Sequence, residues 1–138
     1  MSTPPADFNA QVIEEFRANE GRVGGMFDGM PLLLLHHTGA RSGTERVNPL
    51  VYQGDGGRYV IFASKAGAPT NPDWYHNLKA HPDASIEVGT DTMDVLAEEA
   101  TAEERDRLFR AQIELAPQFA EYEKKTERVI PVIVLTPR

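Results

Sequence analysis

Val12 and Phe16 stand four residues apart, Phe8 lies one turn earlier, and Ile13 widens the stripe. Charged residues fill the opposite side, so the spacing predicts an amphipathic N-terminal helix, opened by Thr3, Pro4 and Pro5. Gly21, Gly24, Gly25 and Gly29 break it. Pro31 to His37, with its aliphatic run Leu32–Leu35, reads as a buried strand, and Thr38 to Gly43 as a turn. Thr44 to Gln53 extends again, with Pro49 marking an edge or a bulge. Gly54-Asp55-Gly56-Gly57 is a hairpin signal leading into the strand Arg58 to Ala63. The small-residue stretch Ser64-Lys65-Ala66-Gly67-Ala68-Pro69 follows. Asn71 suits an N-cap and Pro72 the first position of a short helix that stops before Pro82. Ser85 to Val88 and Thr92 to Ala97 flank Gly89-Thr90-Asp91 as a second hairpin. Thr101 and Glu104 have capping-box spacing ahead of a helix bearing Leu108, Ala111 and Leu115. Pro117 interrupts it, Gln118 to Thr126 adds a helical turn or two, and Val129 to Leu135 is the last strand.

Hairpins dominate this order, and a doubly wound parallel sheet would need a helix after nearly every strand. The pattern therefore predicts an α+β fold, mainly antiparallel β, whose sheet curls into a small barrel. An N-terminal helix and two or three further short helices accompany it. A chain of 138 residues fits one domain over 1–138, with 1–30 as the N-terminal helix and glycine-rich connector.

Charge refines the picture. The net charge of −7 argues against a nucleic-acid partner. Its balance is −3 over residues 1–30, zero over 31–90 and −4 over 91–138, so an anionic ligand settles most easily in the middle. There is no cysteine, hence neither a disulfide frame nor a thiolate metal site. The first residues lack the regions of a signal peptide, and Leu32–Leu35 is far too short to cross a bilayer. The apolar stripe of the first helix lies among acids that outnumber the basic residues, so anionic lipid would repel it. A cytoplasmic location is expected, and membrane association is not.

The candidate chemistry is sparse. His36 and His37 are adjacent in a strand and point to opposite faces, and no histidine pair has HExxH spacing, so no metal site is expected. There is no GxSxG, and neither Ser42 nor Ser64 has a base nearby in sequence. Arg41 and Arg46 bracket a tight turn with Lys65 in the next loop. Their forks either grip phosphate or carboxylate oxygens or are simply solvated. Trp74, Tyr75 and Leu78 either wall a flat ring or form core.

Four segments, in order, resemble the deazaflavin-dependent nitroreductase family, the A-type branch of the split β-barrel flavin and deazaflavin oxidoreductases. They are Thr38-Gly39-Ala40-Arg41-Ser42-Gly43 with Arg46-Val47-Asn48-Pro49-Leu50; Ala63 to Pro69; Asn71 to Leu78; and Ile130 to Pro137. The resemblance covers roughly residues 10–138 and implies an FMN-binding-like split β-barrel that takes coenzyme F-420, a deazaflavin with a phosphate and a polyglutamate tail. It implies that Ala40, Arg41, Ser42, Arg46, Val47 and Asn48 meet the cofactor, with the two arginines on the tail. Phe62, Ala63, Ser64, Lys65, Ala68 and Pro69 would lie near its phosphate or ring, and Asp73, Trp74, Tyr75, His76 and Asn77 would line the ring. Phe119 and Tyr122 would face the acceptor, with Tyr122, Ser64 or a water assisting the reaction. The implied activity passes a hydride from reduced F-420 to an electron-poor acceptor such as a quinone, an enone or a nitroaromatic. The alternatives are a barrel that binds FMN and a non-catalytic F-420 carrier; the assembly is a monomer or a homodimer. Where some relatives carry two basic residues in the turn, Ala40 here precedes a lone Arg41. Phe119 stands where some relatives carry a tyrosine.

Overall fold

The computed structural model describes residues 5–24, 30–64 and 70–138. The expected helix start at Thr3 and Pro4, and Gly25 and Gly29, lie outside them. In chain order the elements are α1 (Pro5–Ala18), β1 (Leu32–Thr38), β2 (Glu45–Val51), β3 (Gln53–Asp55), β4 (Arg58–Phe62), α2 (Asp73–Ala80), β5 (Asp83–Val88), β6 (Asp91–Glu99), α3 (Ala102–Leu115), α4 (Gln118–Lys125) and β7 (Val132–Pro137). The seven strands form one sheet in the order β2-β1-β5-β6-β7-β4-β3, and each neighbouring pair is antiparallel.

The sheet's two edges explain its curl. β2 and β3 are edge strands on opposite sides, yet only Tyr52 separates them in sequence. One extended run, read from the sequence as Thr44 to Gln53, therefore pairs with β1 at one edge and with β4 at the other. The sheet must roll on itself to bring those edges together, which makes the half-barrel. Pro49 sits in the β2 edge strand, opposite Leu34, where a missing N–H is tolerated.

β1, β4 and β7 are covered on both faces, which is why they read as continuous apolar runs. The inward rows are Leu33 and Leu35 of β1, Ile61 and then Ala63 at the end of β4, Ile86, Val95 and Ala97 of β5 and β6, and Ile133 and Leu135 of β7. Trp74 and Leu78 of α2 join them. The outward rows split. Leu32 and Leu34 pack under Val12 and Phe16 of α1. Val60, Phe62, Val132 and Val134 pack under Leu108 and Phe109 of α3 and Phe119 of α4. The N-terminal stripe thus buries Val12 and Phe16 as expected, and Arg17 fastens α1 to Glu87 of β5 at 2.6 Å.

Helix starts differ in detail from the sequence expectation. Helix α2 takes Pro72 as its N-cap, because the Asn71 Oδ1 accepts a hydrogen bond from Arg128 at 2.6 Å instead. Thr101 caps α3 without a side-chain bond, and Glu104 reaches Arg58 at 3.1 Å, so the capping box does not close. The last strand begins three residues later than expected. Pro131 offers no N–H to a ladder, and the Ile130 carbonyl accepts from Arg105 Nε at 3.0 Å.

The connector after α1 carries a strict steric demand. Gly21 has φ +96°, and a Cβ there would stand 2.8 Å from the Gly89 Cα in the β5–β6 turn. Gly21→Ala is expected to lower stability by about 1–3 kcal/mol, read as a drop in melting temperature.

Candidate functional site

The inward rows turn polar at one end of the barrel. Along β1 the row Leu33, Leu35 ends in His37, and along β2 the row Leu50, Asn48 ends in Arg46, which pairs with His37. Between these strands lies the turn 39–44, closed by Gly39 N–H to Thr44 O at 2.8 Å and Gly43 N–H to Gly39 O at 3.0 Å. The Ser42 hydroxyl accepts from Thr44 N–H at 3.2 Å. A Cβ at Gly39 would stand 2.5 Å from the Ser42 Oγ, so a side chain there would displace that hydroxyl. Helix α2 faces this turn with Asp73, His76 and Asn77, while Trp74 and Leu78, on its other side, enter the core.

Together Gly39, Ala40, Arg41, Ser42, Arg46, Asp73, His76 and Asn77 line an open cavity of about 610 Å³. Arg41 and Arg46 are exposed, so their guanidinium groups are free to meet a ligand from solvent. The charged lining is two arginines against one aspartate, a positive balance in a chain of net charge −7.

A buried polar chain holds the turn to the helix. The Ala40 N–H donates to Asn77 Oδ1 at 2.9 Å. Asn77 Nδ2 lies 3.0 Å from His37 Nδ1, and His37 Nε2 lies 2.7 Å from Asn48 Oδ1. His37 is 2% exposed and Asn77 7%. Burial pushes the His37 pKa below the usual histidine value. The bond to Asn48 opposes that shift, the charges of Arg46 and His36 add to it, and Asp73 opposes it. A histidine with a lowered folded pKa is protonated more readily in the unfolded chain. Stability is therefore whole above about pH 6.5 and declines as pH falls from there toward the folded value. The melting temperature of the wild-type protein is expected to fall more between about pH 7.5 and pH 5.5 than that of His37→Asn.

The structure brings seven of the expected cofactor residues to this cavity: Ala40, Arg41, Ser42, Arg46, Asp73, His76 and Asn77. Asn48 stands behind them on His37. Other expected residues go elsewhere, and strand or helix periodicity explains most of them. Val47 and Phe62 point outward, onto the α1 and α3–α4 clusters, because they alternate with inward Asn48 and Ile61. Ala63 and Trp74 belong to the barrel interior. Tyr75 donates its hydroxyl to Glu99 at 2.8 Å, and burial raises its pKa. Ser64 is buried, and its carbonyl accepts from Arg128 at 2.9 Å. Phe119 is core, edge-on to Phe62 and Phe109, and Tyr122 packs edge-on to Phe119 at 5.1 Å between ring centres. Lys65, Ala68 and Pro69 lie outside the described residues. Sequence reasoning missed His37 and Arg128. The signal for His37 was its place on the inward row of β1, whereas Arg128 had none, since its partners Ser64 and Asn71 are more than fifty residues away.

The rolled antiparallel half-barrel is a fold of the split-barrel type. The F-420H(2)-dependent quinone reductase family model matches residues 9–137, and the chain belongs to that family. It is 43% identical over 127 residues to an F-420H(2)-dependent quinone reductase of Mycobacterium tuberculosis, covering 89% of this chain and 85% of that protein. Among solved structures it resembles an F-420-H2 dependent reductase, with TM-score 0.70 and 40% identity over 76% of this chain and 93% of that one. It also resembles a domain-swapped dimer, with TM-score 0.72 and 36% identity over 96% of this chain and 99% of that one. Among the described residues no helix is long and apolar enough to cross a membrane.

Proposed function

We propose that the chain binds coenzyme F-420 in the cavity between the turn 39–44 and helix α2, and reduces quinones with it. The observation that carries this reading is the meeting of Arg41, Arg46, Asp73, His76 and Asn77 around one cavity at the barrel mouth, in a chain of this family. The residues present fit the group: a phosphate and a carboxylate tail need exposed cationic forks, and the two arginines supply them. Reduced F-420 supplies a hydride, which with one proton converts a quinone to its hydroquinone.

The chain's own residues bind, orient and shield. Arg41 and Arg46 hold anionic oxygens, and Ser42 offers a hydroxyl beside them. Asp73, opposite, sets a repulsive limit on how far negative charge can approach α2. Hydride transfer requires no enzyme nucleophile, consistent with serines that have no base beside them in sequence; it requires two rings held in register in dry surroundings. A water delivers the proton, with Tyr122, which packs on Phe119 outside the cavity lining, as the alternative donor, and enones and nitroaromatics are further acceptors of the same electronic kind. The protein works as a monomer or a homodimer, in the cytoplasm.

Reduced F-420 mixed with a panel of quinones tests the reading. Oxidation of the cofactor in step with quinone loss is the expected result. Binding without turnover would make the chain a carrier.

A further inference from the structure

The orientation of the buried polar chain follows from a single backbone group. The Ala40 N–H can only donate, so the atom of Asn77 that faces it, at 2.9 Å, is the oxygen. The Asn77 amide nitrogen is thereby turned to His37 Nδ1, at 3.0 Å, and can only donate to it. His37 Nδ1 must then carry a lone pair. In the neutral ring its proton sits on Nε2, which donates to Asn48 Oδ1 at 2.7 Å. Every partner is satisfied in this arrangement, and among the described residues no buried side-chain nitrogen or oxygen lacks a partner.

A proton on His37 Nδ1 breaks the arrangement. It would set an N–H against the Asn77 amide group, donor against donor. Flipping the amide relieves that contact but turns its NH2 group on the Ala40 N–H. Either way one link between β1, α2 and the turn is lost. The turn closes its other hydrogen bonds on itself, through Gly39, Gly43, Thr44 and Ser42. The Asn77 bond therefore ties the segment bearing Arg41 to the helix that forms the far wall of the cavity.

We propose that His37, in its neutral Nε2–H form, is a positioning residue that fixes the anion-binding turn against helix α2 through Asn77, so that affinity for the cofactor's acidic groups falls when His37 takes up a proton. This rests on the reading of the cavity as the F-420 site. The ionisable groups acting on His37 are Arg46 on β2 and His36 on β1, which oppose its protonation, and Asp73 on α2, which favours it. His76 also lines the cavity, and the cofactor titrates in its own right. Both contribute equally to wild type and variant, so the difference between the two isolates His37.

The test has two arms. In the first, F-420 dissociation constants are measured from pH 8 to pH 5 for the wild-type protein, His37→Asn and His37→Leu. Asparagine keeps an acceptor where Nδ1 stands but does not titrate; leucine removes the acceptor. Wild-type affinity is expected to fall more steeply than that of His37→Asn toward the acid end of this range, by at most about tenfold per pH unit for one coupled proton. His37→Leu is expected to bind weakly at every pH. The same pH slope for wild type and His37→Asn would overturn the proposal. In the second arm, nitrogen-15 correlation spectra of the wild-type protein without cofactor read the His37 tautomer. The Nε2–H form is expected; the Nδ1–H form would overturn the tether, whether or not the variants fold. If wild-type protein binds no F-420 at any pH, the reading of the cavity fails, and with it the claim about affinity, while the spectra still decide the tether.

Discussion

Arg41→Ala and Arg46→Ala each weaken F-420 binding by about tenfold at low ionic strength, and together by more. A charge-assisted hydrogen bond contributes about 1.5–3 kcal/mol, and about 1.4 kcal/mol is tenfold in affinity. Both arginines are exposed, so screening holds the effect to the lower end of that range. The loss shrinks with added salt, because exposed charges are screened within about 8–10 Å at ordinary ionic strength. It also scales with the tail: long polyglutamate forms lose more than the deazaflavin stripped of its tail. Calorimetric titration of both forms, at two salt concentrations, checks this. Equal losses for tailed and tail-less cofactor would mean that the arginines do not read the tail. Neither substitution is expected to shift the melting temperature, since neither side chain carries core packing.

Tyr122→Phe lowers turnover by roughly a hundredfold if its hydroxyl assists the acceptor, the usual scale for a general-acid group. The ring of Tyr122 packs on Phe119, which packs on Phe62 at the end of β4. Phenylalanine keeps those contacts and removes one oxygen. Melting temperature and F-420 affinity should therefore hardly move while the quinone rate drops. Phe119→Ala makes the contrasting case. It empties part of the outer cluster and should cost about 3–5 kcal/mol of stability, with any rate effect following from that. A Tyr122→Phe enzyme that turns over at the wild-type rate would remove the hydroxyl from the mechanism and leave water as the proton source.

The sheet was legible in the sequence because its hairpins announce themselves. Gly56-Gly57 and Gly89-Thr90 sit between runs of the right length, and Pro117 separates α3 from α4 where expected. The helix caps were not legible. Asn71 and Glu104 are good local cappers, but each is drawn to an arginine far away in sequence, Arg128 and Arg58. A local rule sees only the nearby partner. The same limit applies to the site. Arg41, Arg46 and Asn77 lie in segments whose resemblance to a family singled them out, and the cavity collects them. Val47, Phe62 and Trp74 lie in those segments too, yet alternation in the strands and helical spacing in α2 turn them away from it. For His37, adjacency to His36 in a strand says only that the two point to opposite faces. Its role came from Asn48 and Asn77, eleven and forty residues further on, which only the fold brings together.

The central claim is the identity of the cofactor, and parallel titration of the purified protein with F-420, FMN and FAD tests it most directly. The account predicts saturable binding of F-420 that is tighter than that of either flavin. FMN binding as tight as F-420 binding, or tighter, would contradict it.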